Sequence, residues 1–319
     1  MNKTELRSLL FSSQLLITSE GYAAEMMRLL PIPNQTDTAT ITPKSFFFGE
    51  SKTYQQESVE ALAALKKELR KSELKDVNLT MDYENQDIDS GSVAYHRVFG
   101  FITSSSNWYF SSKQFEKDLM DAEMNDNIIS HLIHVNSPGG EAYYLDRLSE
   151  TMHTLTKPVV VLIEKYCASA AYYIGCHSQH IYALTLNDII GCIGTMVSVC
   201  DFSGYYEKLG IKVFDVHSSK SPLKNKMYDD LEKGNVDEYR TRVLDPLAIQ
   251  FINEVRLSRP SLSKLEDSDP LFEGDTFSTD EAIAKGVIDG RKTLAEAVLE
   301  AATLGQSQQK LKSFAFNNL

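Results

Sequence analysis

Two largely apolar runs dominate the middle of the chain: Ile128-Ile129-Ser130-His131-Leu132-Ile133-His134-Val135 and Val159-Val160-Val161-Leu162-Ile163. Both are short, rich in β-branched residues and bounded by turn signals, so they read as buried strands. Each runs into a stretch of small residues, Ser137-Pro138-Gly139-Gly140 after the first and Cys167-Ala168-Ser169-Ala170-Ala171 after the second. Around them the periodicity predicts strands at 93–102 and 180–184, helices at 111–124, 141–156 and 169–178, and an apolar segment at 191–197. Further on it predicts a helix at 203–209, a strand at 211–216, a polar lysine-bearing loop at 218–226 and a long helix at 235–257 kinked at Pro246. A closing helix at 292–303 precedes a tail that reads as disordered.

Upstream, apolar positions over 13–30 predict an amphipathic helix ended by Pro31 and Pro33, and a threonine-rich linker follows. Residues 55–72, with acid early and base late, predict a second helix. The pattern divides the chain into a helical arm and linker (1–90), an α/β domain of stacked ββα units (91–291), and a C-terminal helix with a flexible tail (292–319).

Composition narrows the class. With 319 residues, 42% hydrophobic and 24% charged, the chain can bury a full core as one large or two modest domains. A net charge of -12 argues against nucleic-acid binding, which needs a basic footprint. The N-terminus is too briefly apolar for a signal segment and no run is long enough to span a bilayer, so a cytoplasmic protein without a membrane anchor is expected. Cys167, Cys176, Cys192 and Cys200 lack paired CxxC spacing and read as reduced thiols. His131, His134, His153, His177, His180 and His217 form no metal-ligand spacing, and His177 and His180 lie too far along from Ser169 to be its base. No metal and no cofactor are expected.

The two small-residue turns carry the candidate chemistry. Glycines at 139 and 140 can turn backbone N–H groups toward a developing oxyanion, and a serine opening a small-residue helix can act as nucleophile. Either turn alone is ordinary. Strand, Gly-Gly and helix followed by strand, Ser and helix is an acyl-transfer arrangement in outline.

Five further segments complete an ordered set: Ala168-Ser169-Ala170-Ala171-Tyr172-Tyr173, Gly191-Cys192-Ile193-Gly194-Thr195, Tyr206-Glu207-Lys208-Leu209-Gly210-Ile211, the lysine loop, and Ala282-Ile283-Ala284-Lys285-Gly286-Val287-Ile288-Asp289. Over about 93–290 the chain resembles the SppA-type signal peptide peptidase family, including its phage-encoded head-maturation and prophage relatives. The resemblance implies a ClpP/crotonase-like fold and a Ser-Lys dyad, with Ser169 as nucleophile and a lysine of 220–226 as base. Lys224 lies closest to the family's lysine position, while Lys220 and Lys226 read as surface charges. Such a base must be desolvated to give up its proton near neutral pH. The Ala170 N–H, beside the nucleophile, would join Gly139 and Gly140 in the oxyanion hole.

One departure stands out. Where the family commonly has Gly-Ser-Ile-Gly, with the serine orienting the lysine, this chain has Cys192, so Cys192, Thr195 or a loop serine would take that role. The expected function is a cytoplasmic serine endopeptidase of the phage or prophage type. It would mature capsid or scaffold proteins, associate with a viral prohead, act on polypeptide and form a homo-oligomer. The alternatives are a signal-peptide-remnant peptidase, a catalytically impaired assembly protein of the same fold, and a crotonase-like acyl-CoA enzyme.

Overall fold

The computed structural model describes residues 15–17, 52–70, 76–199, 203–208, 210–212 and 214–317. It opens with a short strand, β1 (Leu15–Ile17), followed by helix α1 (Tyr54–Leu69). Thr53 starts α1 through a capping box: its hydroxyl accepts the Gln56 N–H, and the Gln56 side chain accepts the Thr53 N–H. Strands β2 (Leu79–Thr80), β3 (Ser92–Phe99), β4 (Ile102–Thr103) and β5 (Phe110–Ser111) lead to helix α2 (Ser112–Met124). The two apolar runs become β6 (Ile128–Ser137) and β8 (Val159–Ala168), separated by β7 (Gly139–Glu141) and α3 (Leu145–Thr154). Then come α4 (Ala170–Gly175), β9 (His180–Ala183), β10 (Ile189–Gly191), α5 (Ser203–Lys208) and α6 (Lys226–Glu232). The last long helical stretch begins at Asp237, passes through a π-helical turn (Arg240–Leu244) and continues as α7 (Asp245–Ser258). The chain closes through β11 (Thr276–Phe277), α8 (Thr279–Ala284), β12 (Gly290–Arg291) and α9 (Leu294–Asn317).

The main sheet runs β11-β10-β8-β6-β3-β2, with β9 beside β8 and β12 beside β9, and every pair except β10 with β11 is parallel. Alternation at period two sorts the apolar runs onto two faces. Ile133, Val135, Val159, Val161 and Ile163 pack under α2, α3, α4 and α7, alongside Leu119, Leu148, Tyr172 and Phe251. Leu132, Val160 and Leu162 point the other way, against Leu62 and Leu65 of α1 and Ala297, Val298 and Ala301 of α9. With both faces covered, the strands can be apolar throughout. A second small sheet, β1-β7-β4-β5, carries the glycine turn. The α/β class expected from the pattern is borne out.

Several elements differ from the pattern. Leu15–Ile17 lies inside the helix predicted over 13–30 but is a strand, because β7 offers it backbone partners; the rest of that prediction falls outside the described residues. β8 does not stop at Ile163. It continues through a bulge, with Lys165 in the left-handed region at φ 76, to bring Ser169 to its end. The described residues of 211–216 form no strand. Pro246 lies in the first turn of α7, and the irregularity precedes it as the π turn, since proline has no N–H to bond the carbonyl four residues back. The closing helix runs past residue 303 to Asn317, where the pattern predicts a disordered tail, helped by Gln308, whose amide donates to the Thr156 carbonyl.

Candidate active site

Ser169 sits where β8 ends and α4 begins, with φ 56 and ψ -121, a conformation that non-glycine residues rarely adopt. Flanking hydrogen bonds hold it there: the Ser169 N–H donates to the Gly191 carbonyl at 2.7 Å, and the Ser169 carbonyl accepts the Tyr173 N–H at 2.9 Å. All of α4 is buried behind it. The residue is 1% exposed, and its Oγ has no hydrogen-bond partner among the described residues. A buried hydroxyl left unpaired costs about 1–3 kcal/mol, so such a group is a candidate for chemistry.

The glycine turn is built differently from the expectation. Gly139 and Gly140 do not open a helix; they form β7, and α3 begins only at Leu145. Gly139 has φ 105, and its N–H donates to Ser137 Oγ at 3.1 Å. Gly140 lies against β4 so closely that a Cβ there would stand 2.1 Å from the Ile102 carbonyl oxygen. β7 therefore has β4 on one edge, parallel at Ile102 with Gly140, and β1 on the other, antiparallel with Ile17 opposite Gly139 and Leu16 opposite Gly140.

Around the nucleophile, Gly191 pairs with Ala168, which brings the turn that follows β10 alongside Ser169. Cys192 occupies that turn with φ 53, and its N–H donates to the Asp275 carbonyl at 2.7 Å. Thr195 uses its hydroxyl elsewhere, donating to the Leu244 carbonyl at 3.0 Å. Ala170 follows Ser169 directly and is fully buried.

The lysine loop stands apart. Lys220, Lys224 and Lys226 are all exposed, Lys226 is paired with Asp230, and the unpartnered Ser169 Oγ receives none of the three amines. The segment carrying them exposes Phe214, Val216 and Leu223, at 79%, 90% and 75%. Here the structure does not bring together the groups that the resemblance pairs.

Two supports of the site had little signal in the sequence. At the far end of α4, His177 Nε2 lies 2.8 Å from Glu254 Oε1 and 3.0 Å from Ser149 Oγ, and His153 Nε2 approaches the same carboxylate oxygen at 2.5 Å. Burial works against a charge on His177, yet Cys176 and the Glu254 carboxylate carry its pKa up to about 9. Glu254, also opposed by burial, is drawn down to about 2 by His177 and its other partners. These residues lie far apart in sequence, so only the fold joins α3, α4 and α7 through them. The second support is Asp289, which accepts a fork from Arg259 (2.8 and 3.2 Å) and the Ile181 N–H (2.7 Å), while the Tyr172 hydroxyl donates to the Val287 carbonyl at 2.9 Å. The motif Ala282 to Asp289 thus braces α4 and β9.

Among the described residues no helix is long and apolar enough to cross a membrane. Residues 152–308 match the sequence model of peptidase family S49, a span that includes Ser169 and the lysine loop but not β7. The protein MJ0651 of Methanocaldococcus jannaschii is 29% identical over 173 residues, 54% of each chain. A protein of Enterococcus faecium carrying the name signal peptide peptidase SppA is 26% identical over 199 residues, covering 59% of this chain and 55% of that one. The chain therefore spans about half the length of these curated relatives. A ClpP1 variant from Listeria monocytogenes superposes with a TM-score of 0.38 at 14% identity, over 64% of this chain and 94% of that one. The SppA-type kinship read from the ordered motifs is borne out.

Proposed function

From a chain whose residues 152–308 belong to peptidase family S49, we infer a serine endopeptidase that cleaves polypeptide through a Ser169-lysine dyad. The observation that carries the reading is Ser169 itself: a buried, unpaired hydroxyl held in a strained strand-to-helix turn. Its Oγ attacks the substrate carbonyl while a base takes the proton; the acyl-enzyme then forms as the amine leaves, and water hydrolyses it. The N–H groups of Gly139, Gly140 and Ala170 are the proposed oxyanion donors, and for Gly139 this requires release from Ser137 Oγ. Lys224 is the proposed base. Because it is exposed in the single chain, it must move into an apolar setting to act, and the exposed Phe214, Val216 and Leu223 supply one if copies of the chain pack together as a homo-oligomer. Cys192, beside Ser169 on the β10 turn, is the proposed orienting group; Thr195 is committed to Leu244.

No cofactor enters this chemistry. Capsid or scaffold polypeptide as substrate, and action in the cytoplasm or on a prohead, belong to the same proposal and rest on the motif resemblance; the rival substrate is a signal-peptide remnant. Cys192 in place of the family serine favours a second reading, an impaired assembly protein of this fold. A fluorophosphonate probe separates the two. Labelling at Ser169 in the wild type, lost in Ser169→Ala and strongly slowed in Lys224→Ala but not in Lys220→Ala or Lys226→Ala, is the expected result. Absence of labelling in every oligomeric fraction would sink the peptidase reading.

A further inference from the structure

The glycine strand β7 is three residues long, and its two edges are both taken. The β4 edge is permanent, because Gly140 and Ile102 are in backbone contact closer than any side chain would allow. Among the described residues the other edge is covered only by Leu15–Ile17, the outermost strand of the small sheet, which pairs there with β7 alone. That edge belongs to the residues whose N–H groups are the proposed oxyanion donors. A polypeptide that offers its carbonyl to Gly139 and Gly140 beside Ser169 must run along the same edge as an added strand, with main-chain hydrogen bonds for affinity.

We propose that Leu15–Ile17 of this chain is the resident occupant of the β7 edge, a built-in competitor that an extended substrate strand entering along that edge must displace. The proposal rests on Ser169 being the nucleophile. Three features point to a competitor rather than a structural strand. The register puts Ile17 opposite Gly139 and Leu16 opposite Gly140, so the strand lies along the two residues that carry the proposed donors. The Gly139 N–H is meanwhile directed at Ser137 Oγ instead of outward, and the Ser169 hydroxyl is unpartnered. A three-residue antiparallel contact is also weak as strands go, so an incoming peptide can exchange with it. The substrate class that follows is a segment able to become extended: an unfolded chain or an unstructured linker with apolar residues, like the Leu-Leu-Ile it replaces.

The test compares the full-length protein with the double variant Leu16→Pro/Ile17→Pro. In an antiparallel pair alternate residues direct their N–H groups at the partner, so of two consecutive positions one must lose its bond to β7. Labelled β-casein serves as the unfolded substrate, and a small fluorophosphonate, which needs no strand site, reports Ser169. The double variant is expected to digest casein with kcat/KM raised about tenfold, mostly through a lower KM, while its fluorophosphonate labelling is at least as fast as wild type. Excess synthetic peptide spanning Ser13–Glu20 should return the variant toward the wild-type rate. If circular dichroism shows the proline pair unfolded, Leu16→Gly/Ile17→Gly carries the test with a smaller rise of about threefold, from weaker strand propensity. Equal Ser169 labelling with casein turnover no faster than wild type, and no inhibition by the peptide, overturns the competitor while leaving the nucleophile standing. No Ser169 labelling in any of these proteins overturns the nucleophile and the competitor with it.

Discussion

Gly140→Ala should be among the most damaging single-methyl changes available to this chain. A Cβ on Gly140 would meet the Ile102 oxygen at 2.1 Å, its nitrogen at 2.6 Å and its carbonyl carbon at 2.8 Å. Carbon atoms in contact rest at about 3.5–4.0 Å, so β4 and β7 must part by roughly 1 Å or more. Because the obstacle is backbone, no rotamer change relieves it. Overpacking of this kind costs about 1–3 kcal/mol, and an immovable wall puts the expected loss near 3 kcal/mol. The same displacement carries the proposed oxyanion donors out of line with Ser169, and a shift of about 1 Å costs on the order of a hundredfold in rate. Urea unfolding should show the midpoint falling with the slope unchanged, and casein turnover should collapse further than lost stability explains. Gly204→Ala is the control: nothing lies within 4 Å of its Cβ, and its place within α5 makes alanine neutral or mildly stabilising. A Gly140→Ala protein that unfolds at the wild-type midpoint and turns over within twofold of wild type would refute the close-contact argument.

The His177–Glu254 clamp should make stability depend on pH in a defined window. His177 is raised from 6.5 to about 9, so its contribution is complete below pH 6.5 and is lost as pH rises through 9. Glu254 is lowered from 4.5 to about 2, so its contribution is complete above pH 4.5 and is lost as pH falls toward 2. The melting-temperature gap between wild type and Glu254→Gln should therefore be widest from about pH 4.5 to 6.5 and narrow on both sides, and a gap independent of pH would contradict the pairing. Asp289→Asn should cost about 3 kcal/mol in urea unfolding, because it strips the forked partner from the buried Arg259; a loss under about 0.5 kcal/mol would mean the fork does not bear on stability.

What the sequence made legible was whatever depends on local pattern. The runs at 128–135 and 159–163 are strands because β-branched residues buried on both faces leave no polar side to show, and Ser169 was visible because it stands at the end of one of them among alanines. What was hidden depends on distant partners. Leu15–Ile17 has a helix-compatible pattern and becomes a strand only because β7, remote in sequence, has an edge to offer. Glu164-Lys165-Tyr166 reads as a loop, yet the bulge at Lys165 carries β8 four residues beyond the bulge to Ser169. For the lysine loop, the motif order named the residues but could not say that all three amines face solvent in one chain. β10 brings the Cys192 turn alongside Ser169, and β7 carries the glycines in the second, smaller sheet, while none of the three lysine amines bonds the Ser169 hydroxyl.

The covering of the sheet by α9 has a consequence for how the protein comes into being. Leu132, Val160 and Leu162 lie on strands made before α9, and the helix that shields them follows every strand among the described residues. Until α9 has been made, that face can be closed by α1 alone. The main sheet can begin to assemble during synthesis, yet its burial is finished only once α9 has been made and folds back across β6 and β8. Until then one side of the Ser169-bearing strand is unsealed, so the core closes as a single late event rather than progressively as the chain is made.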